Sequence, residues 1–392
     1  MIKTTTSIIF LLFVSLNLFA QDIDYADFRE AMKYKRLGEY EDAIQYFNDF
    51  IIDYPSYAKA YYFRGYTHFY LKDYKAALKD FLEQCELDDR NPEAFYSAAK
   101  VYNKMGRYEK AVEYYTEAIQ LDPFHAYALN DRGMSYCKIQ NFDNAIQDFQ
   151  KAVIADSTLA IAYNNLGTAR YFNQDVDVPS ERDLKDARDW FAKAIHFDNT
   201  LFLGYVNRAI MNYFLKDYDA ARNDLMMATS LEPSEPTCYF YFGLVYTKQK
   251  EYSRAITSFE QALKLNPNLK FAYEEMGNLE RIKGNYYNAL DYYEKAKAID
   301  LDSKMYVGLM YYRMSAIYAL QKREDAMFRA LKSAKSNKVF TDKKVFQDFA
   351  SEKAFRKFRA KEKFRKFAKS IQKGKKFNKF VGSELNWFRM SL

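Results

Sequence analysis

Phe271-Ala272-Tyr273-Glu274-Glu275-Met276-Gly277, with Ala289 twelve residues on and Tyr293 four beyond it, is the stretch that decides the fold. Its alanine returns throughout the chain, as Ala43, Ala77, Ala111, Ala145, Ala187, Ala221, Ala255, Ala289 and Ala326, with gaps of 34, 34, 34, 42, 34, 34, 34 and 37 residues. Four residues after it stands Phe47, Phe81, Tyr115, Phe149, Phe191, Phe259 or Tyr293, with Leu225 and Ala330 as exceptions. Three residues before it lies Tyr40, Tyr74, Tyr108, Phe142, Tyr218, Tyr252 or Tyr286. A small residue where two helices cross lets their backbones approach, and a ring one turn later covers the contact. Glycine at 65, 133, 167, 243 and 277 serves the same crossing from the first helix, at some cost in helix propensity. Pro55, Pro123, Pro233 and Pro267 stop the second helix, because proline has no N–H to donate. Pro92 and Pro236 can open the next helix, where that donor is not needed.

This pattern resembles the tetratricopeptide repeat, a helix–turn–helix unit of 34 residues. Tyr239, Gly243, Tyr246, Ala255, Phe259 and Pro267 follow it one period before the opening stretch. The resemblance implies an all-α, right-handed solenoid of stacked helical hairpins. The nine units expected are 24–57, 58–91, 92–125, 126–159, 160–201, 202–235, 236–269, 270–303 and 307–340. The first and last depart most from the pattern, as end repeats do when they have one neighbour only. The fifth is longer by eight residues, 173–180, placed between its two helices. Ser180 with Asp183 reads as a helix N-cap there. The insertion is either a contact loop or a neutral length variant.

Composition agrees. Of 392 residues, 49% are apolar and 18% aromatic, while Gly numbers 12 and Pro 7, too few breakers for an all-β or disordered chain. Residues 1–20 read as a secretory signal. Lys3 precedes an apolar run from Ile8 to Phe19, too short to span a bilayer, and cleavage is expected after Ala20. An array over 21–342 and a basic segment over 343–392 complete the expected organisation, and the mature protein is then periplasmic or secreted. Cys85, Cys137 and Cys238 form no CxxC motif and read as buried small hydrophobes. No phosphate-binding glycine loop, nucleophile elbow or paired-histidine zinc motif occurs. His68, His125 and His196 fall in three different repeats. The expectation is therefore a non-enzymatic protein with no cofactor, no catalytic residues and no metal.

What remains is binding. In such arrays the first helices line the concave side, and positions 2, 5, 9 and 12 of each repeat share a helix face. That face carries Tyr62, Tyr66, Phe69, Tyr96, Tyr127, Tyr171, Tyr213, Phe240 and Phe271, with Asn130, Asn164, Asn165 and Asn207 beside them. Aromatics offer flat apolar contact, and carboxamides can grip the main chain of an extended peptide. The same residues can also serve only to pack neighbouring repeats. Some members of the family hold a partner's terminal carboxylate with Lys, Asn and Arg at positions 5 and 9. Tyr62 and Tyr66, Tyr96 and Lys100, and Asn130 and Met134 do not match that set.

The net charge of +7 is unevenly placed: residues 343–392 carry +12 and the rest −5. The pairs Phe346/Phe349, Phe355/Phe358 and Phe364/Phe367 recur every nine residues, with Phe377/Phe380 less regularly behind them. Nine residues turn an α-helix by about 900°, so consecutive pairs would face opposite sides of one straight helix. Short helices that each bury a pair, closing the end of the array, are the preferred reading. The alternative is a segment that places Lys357, Arg359, Lys361, Lys363, Arg365, Lys366, Lys373, Lys375 and Lys376 on an anionic lipid or another polyanion. Export disfavours nucleic acid.

Overall fold

The computed structural model describes residues 25–173 and 179–372. The signal segment and Lys373, Lys375, Lys376, Phe377 and Phe380 lie outside the described residues, as does most of the insertion. Among the described residues the secondary structure is all α: α1 Ala26–Leu37, α2 Tyr40–Asp53, α3 Ala58–Tyr70, α4 Tyr74–Leu87, α5 Pro92–Lys104, α6 Tyr108–Leu121, α7 Ala126–Lys138, α8 Phe142–Ala155 and α9 Ala160–Phe172. There follow α10 Glu181–Phe197, α11 Phe202–Phe214, α12 Tyr218–Leu231, α13 Pro236–Lys248, α14 Tyr252–Leu265, α15 Lys270–Lys283, α16 Tyr286–Ile299, α17 Lys304–Leu320, α18 Glu324–Ser336, α19 Lys343–Ser351 and α20 Glu362–Gln372. Two compact units meet within α9, one ending at Ala169 and the other starting at Arg170.

Each unit is a stack of antiparallel hairpins. In the first, α1/α2, α3/α4, α5/α6 and α7/α8 pair, and α2, α4 and α6 also pack on the next first helix. The first helices touch one another as well, α1 against α3 and α5 against α7. In the second unit α11/α12, α13/α14, α15/α16 and α17/α18 pair in the same way. The recurring alanines from Ala43 to Ala289 are essentially inaccessible, and so are the rings four residues later. At the crossing itself a side chain is excluded: a Cβ on Gly133 would sit 2.7 Å from the Phe149 ring, and one on Gly277 2.5 Å from Tyr293. The turn inside each of these eight hairpins passes through a left-handed residue, which is Gly38, Gly106 and Gly284 in three of them and Lys or Gln in the others. Pro92 and Pro236 stand at the start of α5 and α13, where the missing N–H costs nothing. Ser180 and Asp183 form a reciprocal capping box that starts α10 after the insertion.

Beyond α18 the chain does break into short helices. A turn at Val339–Thr341 leads to α19, a second turn at Lys353–Phe355 follows, and α20 ends the described chain. Phe349, Phe355, Phe358, Phe364, Phe367 and Ile371 are buried, and Phe346 partly so. Phe349 stacks on Phe364 with ring centres 5.3 Å apart, and Phe355 lies 6.2 Å from Tyr312 of α17. Tyr312 also donates its hydroxyl to Asp348 at 2.6 Å. Turning the chain between successive Phe pairs brings to one side what a straight helix would have put on two.

Cys85 and Cys238 are buried, Cys137 is half-buried, and all three are free thiols. Burial pushes each thiol up to about 12. A raised thiol pKa shrinks the reactive thiolate at any pH below it. Iodoacetamide at pH 8 is therefore expected to modify the folded chain at least roughly a hundredfold more slowly than the urea-unfolded chain. Mass spectrometry of timed samples checks this; equal rates would mean that the thiols are open to solvent.

Candidate functional site

The first helices of the first unit carry a connected row of aromatic and polar side chains. It starts at α3, where Tyr62 and Tyr66 meet edge to face with centres 4.8 Å apart. Tyr66 rests on the Phe81 ring and accepts a hydrogen bond from Ser97 of α5 at 3.1 Å. The Lys100 ammonium lies 6.0 Å from the centre of the Tyr66 ring and 5.2 Å from that of Tyr96, a bridge between the two tyrosines. The Tyr96 hydroxyl donates to Asp131 of α7 at 3.0 Å, and the Asn130 amide donates to the same carboxylate at 3.0 Å. Asn165 of α9 donates to the Asn130 oxygen at 2.9 Å. The links Ser97–Tyr66, Lys100–Tyr66, Tyr96–Asp131 and Asn165–Asn130 span neighbouring first helices, one repeat apart in sequence.

Burial dominates the electrostatics of this row. It raises the Asp131 carboxyl above the ordinary range, although hydrogen bonds from Asn130 and Tyr96 and the charge of Lys100 work against the shift. Burial also raises the Tyr66 and Tyr96 hydroxyls, so both stay protonated. His125 packs its ring 4.9 Å from Tyr96. Its Nδ1 accepts the Ala128 N–H, so the other nitrogen, 3.5 Å from Glu93, carries the proton of the neutral ring. No group of three or more His, Cys, Asp or Glu side chains is placed to hold a metal ion among the described residues. The accessible part of the arrangement offers the Tyr62 and Tyr66 rings and the Lys100 cation, held in place by the buried amides behind them, which suits the recognition of a polypeptide.

Among the expected binding residues, Tyr62, Tyr66 and Phe69 are half-buried and Tyr127 is 56% exposed, all in the first unit. Tyr96, Asn130, Asn164 and Asn165 are buried there, as members of the row or beside it. In the second unit Tyr171, Tyr213, Phe240 and Phe271 are buried in helix packing, and Asn207 is half-buried. Phe240 lies 5.7 Å from Phe259, and Phe271 5.9 Å from Tyr306. Ring faces engaged in this way are closed to a partner, so the second unit's aromatics do not form an open strip. The described basic residues Lys357, Arg359, Lys361, Lys363, Arg365 and Lys366 are exposed. Lys361 pairs with Glu324, Lys363 with Asp325 at 3.4 Å and Lys366 with Glu362 at 2.7 Å. Arg359 donates to the Glu352 carbonyl at 2.9 Å.

The sequence reading missed Ser97, Lys100 and Asp131, and also a buried ion-pair series. Arg64 grips Asp80 through Nε and Nη2 at 2.9 and 2.6 Å, and Arg132 grips Asp148 at 2.7 Å through both. Arg208 and Asp224 repeat the fork in the second unit at 3.0 and 2.6 Å. A third nitrogen ties Arg64 to Asn48 and Arg132 to Thr116 of the preceding second helix, at 2.7 and 3.0 Å. The signal was present: an arginine sixteen residues ahead of an aspartate in the second, fourth and sixth repeats.

Comparison with known proteins fits this architecture. Models of the tetratricopeptide repeat match residues 28–92, 92–125 and 237–269. With the hairpins described above, they identify the chain as a tetratricopeptide-repeat protein. Protein O-mannosyl-transferase TMTC1 of Homo sapiens is 33% identical over 91 residues, which is 22% of this chain and 10% of that protein. The Mus musculus protein of the same name is 33% identical over 82 residues, 20% of this chain and 9% of that one. The chain thus spans about a tenth of the curated relatives it matches. A solved tetratricopeptide repeat protein from Parabacteroides merdae is 19% identical, with a TM-score of 0.48 over 61% of this chain and 92% of that one. YrrB, described as a TPR protein with an unusual peptide-binding site, is 18% identical, with a TM-score of 0.38 over 48% and 92%.

Proposed function

We propose that this protein is an exported, non-enzymatic adaptor that docks an extended segment of a protein partner along the first helices of its first unit. The tetratricopeptide fold is a protein-interaction scaffold. The observation that carries the reading is the row from Tyr62 to Asn165, whose half-buried Tyr62, Tyr66 and Lys100 present aromatic faces and a cation beside the exposed Tyr127. No helix among the described residues is long and apolar enough to cross a membrane. Export rests on residues 1–20, and a mature chain beginning at Gln21 is the outcome to look for by N-terminal sequencing. In this proposal residues 21–342 form the array and 343–392 close its end.

The row is tested by affinity capture from the envelope and medium of the producing cell. Tyr62→Ala, Lys100→Ala and Tyr127→Ala alter accessible groups and leave the buried Tyr96 in place. Combined, they are expected to weaken capture of the partner by about thirtyfold or more, with an unchanged melting temperature. Undiminished capture would remove the first helices as the docking surface.

A further inference from the structure

In the second unit a cavity of about 220 Å³ opens between α19 and α20. Phe346, Phe349 and Ala350 of α19 line one side, and Phe364 and Ala368 of α20 the other. The stacked Phe349 and Phe364 rings are each 4% exposed and give the cavity an apolar lining. The charged residues that line it are both arginines, Arg365 of α20 and Arg359 just ahead of that helix. No acidic side chain lines it among the described residues. Arg359 is held by its bond to the Glu352 carbonyl, which leaves most of its N–H donors for an anion. Arg365 is exposed and makes no ion pair with the described residues, whereas Lys361, Lys363 and Lys366 of the same segment are already paired.

We propose that this cavity binds an acyl anion, with its chain end among the phenylalanines and its acid group on Arg359 and Arg365. The inference does not rest on the docking reading above and adds a ligand of a different class. The lining calls for a chain, because each methylene taken out of water gains affinity. The volume falls below the roughly 300–1,000 Å³ of sites that enclose a whole small molecule, so only the end of the chain enters. The exposed guanidinium groups set the sign of the head, and their planar forks match the paired oxygens of a carboxylate or phosphate. A cationic amphiphile would find the same lining and be repelled. An inorganic anion would find the arginines and leave the lining wet.

The probe is octanoate, titrated by calorimetry into the full chain, with octyltrimethylammonium and butanoate as controls. Octanoate is expected to bind saturably and at least about tenfold more tightly than either, since one control reverses the charge and the other shortens the chain. Arg365→Gln is expected to weaken octanoate about tenfold and to leave octyltrimethylammonium no weaker. Ala350→Trp, at an exposed lining position, is expected to fill the cavity and abolish binding; Ala368→Leu serves the same purpose if the tryptophan variant unseats the segment. Unchanged protease resistance between residues 338 and 372 shows that a variant keeps the segment in place. Phosphatidylglycerol vesicles identify the source of the chain. Flotation with the protein that Ala350→Trp abolishes makes a membrane lipid the supplier, and any other vesicle result leaves a free acyl anion. No saturable octanoate binding, equal affinity for the anion and the cation, or octanoate binding undiminished by both the arginine and the alanine substitutions would each overturn the proposal.

Discussion

Replacing Arg132 by alanine is expected to destabilise its hairpin by about 3–5 kcal/mol, because it leaves a buried carboxylate without its partner. The Asp148 side chain is 4% exposed and that of Arg132 13%, so water cannot take over the lost hydrogen bonds. Burial works against the guanidinium charge, yet the hydrogen bonds and charge of Asp148 outweigh it and hold the Arg132 pKa above its ordinary value. The same arginine reaches Thr116 on the preceding hairpin, so the loss is shared by two neighbouring repeats. The measurement is hydrogen exchange across α6, α7 and α8, since stability in stacked repeats is set locally. The double change Arg132→Met with Asp148→Leu removes both charges and is expected to recover most of the loss, as buried pairs replaced by apolar residues often do. If the single and double variants lose equally, the unpaired charge is not the cause, and the fork is only incidental to packing.

Phe355→Ala carries an effect of similar size for a different reason. The ring is completely inaccessible and lies 5.5 Å from Phe349 and 5.7 Å from Phe364. Removing it opens a cavity in the layer that seats the C-terminal helices on α17, a cost of about 3–5 kcal/mol. The segment is short and its helices are not self-sufficient, so the expected consequence is local detachment. Limited proteolysis should cut readily between residues 338 and 372 in the variant, while the rest of the chain resists. Arg281 and Glu352, 3.1 Å apart, help to hold the same junction. Burial alone would raise the Glu352 carboxyl, but the backbone N–H groups of Ala354 and Lys353 and the Arg281 charge bring it below the ordinary range. Unaltered resistance to protease would mean that the Phe layer does not anchor the segment.

The two variants also separate what was readable in advance from what was not. The alanine–aromatic crossing was legible because both partners sit within one repeat and recur in the same phase, so a single sequence displays the contact seven times over. The segmentation of the Phe-rich end was legible for a related reason: a nine-residue period conflicts with a 3.6-residue turn, and only a break resolves it. The binding row was harder. Position along the first helix places Tyr62, Tyr66, Tyr96 and Asn130 on one expected face, but periodicity says nothing of how near the next helix lies. Phe240 and Phe271 occupy corresponding helix positions and are buried at 1% and 4% exposure. Asp131 was passed over because a charged residue on a helix face is usually solvated.

Glu274 shows the limit within the opening stretch itself. As one of two adjacent glutamates it reads as surface charge, yet it is fully buried, and Arg313 of α17 reaches it at 2.5 Å. Arg313 also donates to Asn278, which accepts from Tyr293, so one arginine joins three helices.

From its own residues the chain determined the hairpins: their number of residues, their crossing points, and the turns and prolines that end them. Those features arise from contacts of short range, in which the interacting groups keep a fixed separation along the backbone. Tertiary structure alone decided which rings face outward, which arginines also reach the preceding hairpin, and where an acceptor is left unpaired. Such outcomes depend on how closely one hairpin approaches the next, a distance that side-chain volumes from several repeats settle jointly and that no local spacing encodes.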